Sequence, residues 1–195
     1  MKLFVETLKE ALQKPHVRNH DPEFNLAIAK VYREFMKGND EPLFSMLKTK
    51  IAWLIVNKIV DKHELLRLTT KTERQRMSLW IDVDDLLISD DVATLIDCNA
   101  RIVGHSNVHV FGSSEVSGFD TSFITLHDNS YAMVKECRVH AFDGSSVLAR
   151  SYAYLELFDV STARASRYSY VLKHDRSSVS ATTNCHVVEF NSVNA

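Results

Sequence analysis

The chain has 195 residues, a length suited to one domain or to a small domain followed by a repeat array, and 45% of them are hydrophobic, as in soluble proteins. The formal net charge is −2, but residues 1–80 carry +5 (15 Lys and Arg, 10 Asp and Glu) and residues 81–195 carry −7 (8 and 15). The sequence shows no secretory signal and no apolar run long enough to cross a bilayer, so we expect a cytoplasmic protein with no membrane partner.

Helical patterns fill the first part of the chain. The spacing of apolar residues predicts a first helix over Leu3–Lys14 and a second that starts with Asp21 as N-cap and stops at Gly38. A third helix is predicted to begin near Asp40 and to run towards Asp61, and a short fourth covers His63–Leu68. Residues 69–76 (TTKTERQR) are polar and basic and predict a linker or an exposed loop.

We therefore predict a helical domain over 1–78 and a second domain over 79–195, in which Leu79–Ser89 starts a sheet and closes a first coil. The helical domain has two interpretations. It covers the end of the sheet structure, which would otherwise expose a core and unpaired strand edges. Alternatively, it is a basic helix-turn-helix reader that contacts nucleic acid.

Residues 91–193 divide into thirteen copies of an eight-residue unit, of which NVHVFGSS (107–114) is typical. Position two is aliphatic in every copy, with Val92 as the first example, and position four is mostly apolar or Gly. Position six favours Asp, Asn and Gly, which form turns. One unit, Tyr131–Cys137, is a residue short. Each octad therefore predicts a short strand and a corner, and a fixed short period of this kind is typical of a β-solenoid.

A second period gives the size of the coil. Position five of every other octad is occupied mainly by rings, in the order Leu95, Phe111, His127, Phe142, Phe158, His174 and Phe190. Two octads, or sixteen residues, therefore make one coil. The predicted fold class is α+β: a small helical domain followed by a narrow, two-sided parallel β-solenoid of about six and a half coils.

Two further columns repeat with the coil. Asp128, Asp143, Asp159 and Asp175 occupy position six in successive coils, and each could cap its own turn or, with its neighbours, bind Ca²⁺. The ring column could be a structural stack or an exposed apolar rail for a partner. We favour the structural interpretation of the rings and of the turn aspartates, although the aspartate edge remains a candidate contact surface.

The outward position one carries the main candidate binding residues: Phe123, Arg138, Tyr154 and Tyr170. Tyr and Arg dominate the energetics of many protein interfaces, so we predict that this side binds a partner. The same rings could instead only stack on one another along the ladder.

Signs of catalysis or of a cofactor are weak. Cys98, Cys137 and Cys185 all fall at position eight, where Ser otherwise stands, so we interpret them as small interior residues of a protein in a reducing compartment. We expect no cofactor and no metal. His140 and Glu156 lie one coil apart in an outward column and could form an acid–base pair.

The repeats, as in NVHVFGSS (107–114) and RVHAFDGS (138–145), resemble the octad arrays of the pattern A-x-V-x-A-x-x-x-S found in proteins of bacteria and their phages. The resemblance covers residues 91–193. It implies a solenoid in a bacterial host cell, and it suggests a phage- or mobile-element-encoded inhibitor of a host defence complex, as anti-CRISPR proteins are.

The function that we expect is therefore non-enzymatic. A rigid solenoid face would bind a protein or a protein–nucleic-acid complex through its acidic surface. One alternative is an enzyme acting on sugars or nucleotides along a solenoid face, with carboxylates such as Asp143 and Glu156. Another is a structural oligomerisation module, with a homodimer formed through a solenoid end.

Overall fold

The structure is a computed structural model that describes residues 1–13, 22–182 and 184–190. The chain divides into two compact units, Met1–Leu79 and Trp80–Ala195. The first is helical, and the second consists of parallel strands that coil into a β-solenoid. The predicted α+β fold class is confirmed.

Among the described residues the helical unit contains five helices: α1 (Lys2–Leu12), α2 (Pro22–Met36), α3 (Glu41–Val56), α4 (Lys62–Leu68) and α5 (Lys71–Arg76). Their apolar faces form a common core, which includes Phe4, Leu8, Leu43, Leu47, Ile51, Leu54, Leu65 and Met77. The predicted helix limits at Lys14 and Asp21 lie outside the described residues.

Residues 69–76 were predicted as a linker or exposed loop, and this prediction is wrong because α5 lies there. The Thr70 hydroxyl accepts the N–H of Glu73, and the Glu73 carboxylate accepts the N–H of Thr70, so a capping box starts the helix. Arg76 at its end donates to Asp40 (2.6 Å) and lies over the Phe44 ring at 3.8 Å. These contacts join α5 to the start of α3.

The third helix is also shorter than predicted. It ends at Val56 instead of continuing towards Asp61, because Lys58 adopts a left-handed conformation (φ 54°) that a helix cannot contain. Asp61 is instead the N-cap of α4, and its side chain accepts the N–H of Glu64. An apolar sequence (IAWLIVNKIV) concealed this boundary, since Ile59 and Val60 are buried beyond the helix end.

Fifteen strands follow among the described residues: β1 (Leu79–Ile81), β2 (Leu86–Ser89), β3 (Val92–Ile96), β4 (Asn99–Val103), β5 (Asn107–Phe111), β6 (Glu115–Gly118), β7 (Phe123–Leu126), β8 (Tyr131–Val134), β9 (Arg138–Ala141), β10 (Ser146–Ala149), β11 (Tyr154–Leu157), β12 (Thr162–Ala165), β13 (Tyr170–Lys173), β14 (Ser178–Ala181) and β15 (His186–Glu189). The odd-numbered strands form one sheet, which we call sheet A, and the even-numbered strands form sheet B.

Each strand pairs in parallel with the strand one coil away in its own sheet. Ser146 pairs with Thr162, sixteen residues later, and Tyr154 pairs with Tyr170 at the same spacing. The two-octad coil is therefore confirmed. The spacing falls to fifteen between Tyr131 and Ser146, where the short unit lies.

The core between the sheets is built from positions two, four and eight. From β4 to β12 the side chains at position two are aliphatic and almost completely buried, as Val139 and Leu155 show, and position four holds buried aliphatic residues or Gly118. In the last coils both positions become more exposed, as Val187 and Glu189 show. Every serine at position eight of the eight full octads that carry one donates its hydroxyl to the carbonyl of position five in the same turn, at 2.5–2.8 Å. The serine repeat thus satisfies a buried hydroxyl and closes the corner with one bond.

The predicted register of the first octad is wrong by one residue. Ala93 and Leu95 are the inward residues, and Ile96, not Leu95, pairs with Phe111 in the ring column. The unit is in fact a seven-residue one, Val92–Cys98, that matches Tyr131–Cys137. In both, position seven is missing and a cysteine closes the turn, with its Sγ 3.3 Å from the carbonyl oxygen two residues earlier. Cys98 and Cys137 thus close the two shorter turns, whereas Cys185 ends a full octad.

We predict that Val139→Asp unfolds the solenoid, because it places an unpaired charge between coils where Val139 has no exposed surface. The melting temperature should fall by more than about 10 °C. The matched control is Arg164→Ser on an exposed outward position, which should leave the melt nearly unchanged. A melt of Val139→Asp that superimposes on the wild type would contradict the inward assignment.

Cys98 and Cys137 should be chemically inert in the native state. Burial raises the pKa of the Cys98 thiol, and it raises that of Cys137 to about 12, so few thiolates are present near pH 8. We expect a thiol reagent followed by mass spectrometry to label the half-buried Cys185 first and the other two only on unfolding. Rapid native labelling of Cys137 would show that the short turn opens.

Candidate binding face

The outward surface of sheet A is formed by positions one, three and five of its strands, and we call these column one, column three and column five. Column one contains Phe123, Arg138, Tyr154, Tyr170 and His186 in adjacent strands. The Tyr154 and Tyr170 rings stack at 5.5 Å, and Tyr170 stacks on His186 at 5.0 Å. The repeat thus correctly places the four predicted residues in one row, while their binding role stays a prediction.

A groove of about 780 Å³ opens where the ring stack of column one is interrupted by Arg138. Its walls combine rings, carboxylates and cations, and the lining residues are Thr121, Phe123, Glu136, Arg138, His140, Tyr154 and Glu156. Arg138 is exposed and forms no ion pair with any described residue. A free guanidinium at the rim leaves five donors for a partner.

Glu156 organises the floor of this groove. Its carboxylate accepts the Tyr154 hydroxyl at 2.9 Å and lies 3.6 Å from Nε2 of His140. Burial lowers the pKa of His140, an effect that Glu156 partly opposes, and the hydrogen bond to Glu156 raises the pKa of Tyr154. His140 also meets the Phe123 ring edge-on at 4.8 Å. The predicted His140–Glu156 pair therefore exists, although its role as an acid–base pair is a hypothesis.

Column five is a continuous stack of six rings: Phe111, His127, Phe142, Phe158, His174 and Phe190. Neighbouring centroids lie 4.5–5.3 Å apart, and the planes are within 9° of parallel. Within the stack the ring faces cover one another, so a partner could reach only their edges, except at the half-exposed Phe190, which ends the stack among the described residues. This geometry supports the structural interpretation of the column.

Two histidines interrupt the apolar character of this region. His109 in column three lies 6.1 Å from His127, and His109 Nδ1 and His127 Nε2 are buried with no hydrogen-bond partner among the described residues. Burial lowers the pKa of both rings, that of His109 to about 4, and for His127 the nearby Asp143 opposes the shift. Both rings are therefore neutral at pH 7; His127 belongs to the column-five stack, and His109 packs beside it.

The aspartate column bonds differently from the prediction. Asp128, Asp143, Asp159 and Asp175 do not cap their own turns; each carboxylate accepts the backbone N–H of position six in the preceding coil, at 2.8–3.3 Å. The left-handed backbone at each of these residues (φ 51–58°) directs the side chain along the solenoid. Among the described residues no group of three acidic, His or Cys side chains is arranged to hold a metal ion.

The two predicted sets of binding residues do not form one site. Column one lies at the start of β7, β9, β11 and β13, and the aspartate turns follow the ends of the same strands. Four residues of extended chain, about 13 Å, separate them. Sequence reasoning missed Thr121 and Glu136, which line the groove from the turns that precede column one. The missing residue in the unit Tyr131–Cys137 was the signal, because the tight turn brings Glu136 towards the groove.

Comparison with known proteins gives no match: no family model, no curated protein and no solved structure resembles this chain closely enough to indicate a function. Among the described residues, none of the helices is both long and apolar enough to cross a membrane. The geometry of the solenoid is therefore the basis for any functional proposal.

The buried histidines predict acid sensitivity. Their pKa values in the folded chain lie below the usual 6.5, so the unfolded chain takes up protons first as the pH falls. The free energy of unfolding should be highest above pH 6.5 and should fall between about 6.5 and 4, by roughly 1.4 kcal/mol per unit of pKa difference. Urea denaturation at a series of pH values measures this loss.

His127→Phe tests which residue is responsible, because it matches the phenylalanines on either side in the stack. The variant should be more stable than the wild type at pH 5 and should show a shallower decline with pH. A profile that runs parallel to the wild type would exclude His127 as a source of the acid sensitivity.

Proposed function

We propose that this chain is a non-enzymatic binding protein and that the outward face of sheet A docks on a macromolecular partner. The observation that carries the proposal is the groove at Arg138, where the ring stack is interrupted and an unpaired cation, two carboxylates and two aromatic rings converge. Aromatic and Arg side chains next to a concave surface are typical of the central part of protein interfaces.

The rigidity of the solenoid supports binding. The serine bonds close the corners within each coil, and the aspartate ladder and the ring stack join neighbouring coils. A surface that is already ordered loses little conformational entropy on association, so more of the contact energy appears as affinity.

Charge suggests the kind of partner. Residues 81–195 carry −7, and the exposed aspartate edge concentrates part of that charge along one side of sheet A. A partner with a basic surface, such as one that otherwise holds nucleic acid, would be attracted to this edge, and the association rate would fall with rising salt. A protein or a protein–nucleic-acid complex fits this description.

An inhibitor of a host defence complex is the form of this function that we favour. Octad arrays of the kind described above occur in bacteria and their phages, and an acidic solenoid could compete for the basic surface of such a complex. The resemblance and the charge pattern support this part of the proposal.

Acid–base catalysis at His140 and Glu156 is the second candidate. The 3.6 Å separation of their nitrogen and oxygen atoms, beside a groove, is the observation in its favour. Glu156→Gln separates the two functions, because it would abolish turnover of a sugar or nucleotide substrate by an enzyme. In a binding protein it would alter affinity only.

Affinity purification from a host lysate, followed by titration of the partner recovered, tests the proposed face. We expect the double variant Tyr154→Ala, Tyr170→Ala to bind at least tenfold more weakly, since truncation of a hot-spot residue costs about 2 kcal/mol or more. Leu87→Ala, which removes an exposed side chain from sheet B, is the control. Unchanged affinity of the double variant, with an unchanged circular dichroism spectrum, would exclude column one.

A further inference from the structure

The turns that lead from sheet B to sheet A after β10 and β12 differ from the other turns of the solenoid. They contain Arg150, Tyr152, Arg167 and Tyr168, and Arg164 projects from β12 beside them. We call these five residues the Arg–Tyr corner. The two turns are neighbours, because the N–H of Tyr152 donates to the carbonyl of Arg167 at 3.1 Å.

The backbone of this corner is strained. Tyr152, Arg167 and Tyr168 have φ values of 47°, 51° and 64°, in the left-handed region that side chains of this size rarely adopt. Elsewhere among the described residues of the solenoid, left-handed positions are occupied by Gly, Asp or Glu136. Each left-handed residue of this type costs about 1–2 kcal/mol. The fold alone offers no reason for these residues, since Gly and Asp occupy equivalent turns.

The two tyrosines gain little from burial. Tyr152 is 63% exposed and Tyr168 is 61% exposed, and their rings stack on each other at 5.6 Å with an angle of 17° between the planes. They stand beside the stacked pair Tyr154 and Tyr170 in column one. The strained turns therefore display an aromatic pair to solvent.

The cations of the corner are also free. Within residues 80–182 and 184–190, no carboxylate forms an ion pair with Arg150, Arg164 or Arg167, although the solenoid half of the chain is strongly acidic. A shallow depression of about 440 Å³ on sheet B adjoins Arg164 and is lined by the hydroxyl-bearing residues Thr162, Ser178 and Ser180. The Arg164 guanidinium and these three hydroxyl groups thus line the same depression on sheet B.

We infer that the Arg–Tyr corner is a binding site for single-stranded nucleic acid. Guanidinium groups bind phosphate through paired N–H donors, and exposed tyrosine rings provide surfaces on which unpaired bases stack. An acidic polypeptide would satisfy the arginines but would leave no use for the exposed ring pair. A duplex keeps its base faces covered, so a single strand fits better.

The inference does not depend on the proposed protein partner, because an oligonucleotide alone tests it. Fluorescence anisotropy with a labelled twelve-nucleotide oligo(dT) should show binding by the whole chain that weakens with salt. Three phosphate contacts predict a slope of roughly −2 in a plot of log affinity against log salt, or about a twentyfold loss between 50 and 200 mM.

Two variants separate the contributions of charge and stacking. Arg150→Gln, Arg164→Gln, Arg167→Gln should abolish binding, whereas Arg176→Gln, at an exposed turn on the other edge, should bind nearly as the wild type does. Tyr152→Asn, Tyr168→Asn should weaken binding at least tenfold, and Tyr152→Phe, Tyr168→Phe should retain it.

Asparagine is chosen because it tolerates left-handed backbone, so the Tyr→Asn variant should melt at or above the wild-type temperature while it loses binding. A lower melting temperature with unchanged binding would make the tyrosines structural and overturn the inference. So would an absence of oligonucleotide binding by the wild type. Equal affinity for poly-glutamate, unaffected by the Tyr→Asn change, would assign the corner to an acidic polypeptide instead.

Discussion

Parallel pairing in register between coils is the constraint on which the rest of this solenoid depends. Each residue lies next to the residue at the same repeat position in the previous coil. A residue type that recurs at one position must therefore pack against copies of itself. Phenylalanine packs against copies of itself by ring stacking, as Phe142 does on Phe158 at 4.7 Å. Aspartate, whose carboxylates would repel in a bare row, can recur because a backbone N–H lies between successive carboxylates.

The turns of the solenoid tolerate the deletion of a residue, and the strands do not. A deletion within a strand would reverse every later side chain between core and solvent, whereas a deletion in a turn leaves both flanking strands in place. Both seven-residue units omit position seven and keep the strand intact, and Cys98 and Cys137 complete the shorter turn. The short turn at Glu136 also helps to shape the groove beside Arg138. The missing residue in this turn therefore changes the surface beside Arg138 without disturbing the core.

The repeat made the fold predictable from the sequence. The features that could not be predicted are those that the repeat does not determine. The coil length, the two sheets and the row Phe123, Arg138, Tyr154, Tyr170 follow from periodicity alone. The register of the first octad did not, because Val92 and Ala93 are both acceptable inward residues and only pairing with β5 distinguishes them. The hydrogen bonds of the aspartates escaped prediction for a similar reason, since a turn residue can reach its own backbone or the coil before it.

Departures from the repeat fall into two physical classes. Lys173 and Glu189 interrupt the apolar position four in adjacent strands, but they form an ion pair at 2.6 Å and so satisfy each other. Tyr152, Arg167 and Tyr168 combine left-handed backbone with exposed side chains, and the stack of the two tyrosine rings is the contact that they gain. These two turns can be recognised in the sequence by the motif Tyr-x-Tyr, which occurs at 152–154 and again sixteen residues later at 168–170. A departure from the repeat that stabilises the fold says little about function. A departure that destabilises the fold and recurs in consecutive coils requires a cause outside the fold, and a bound ligand is such a cause.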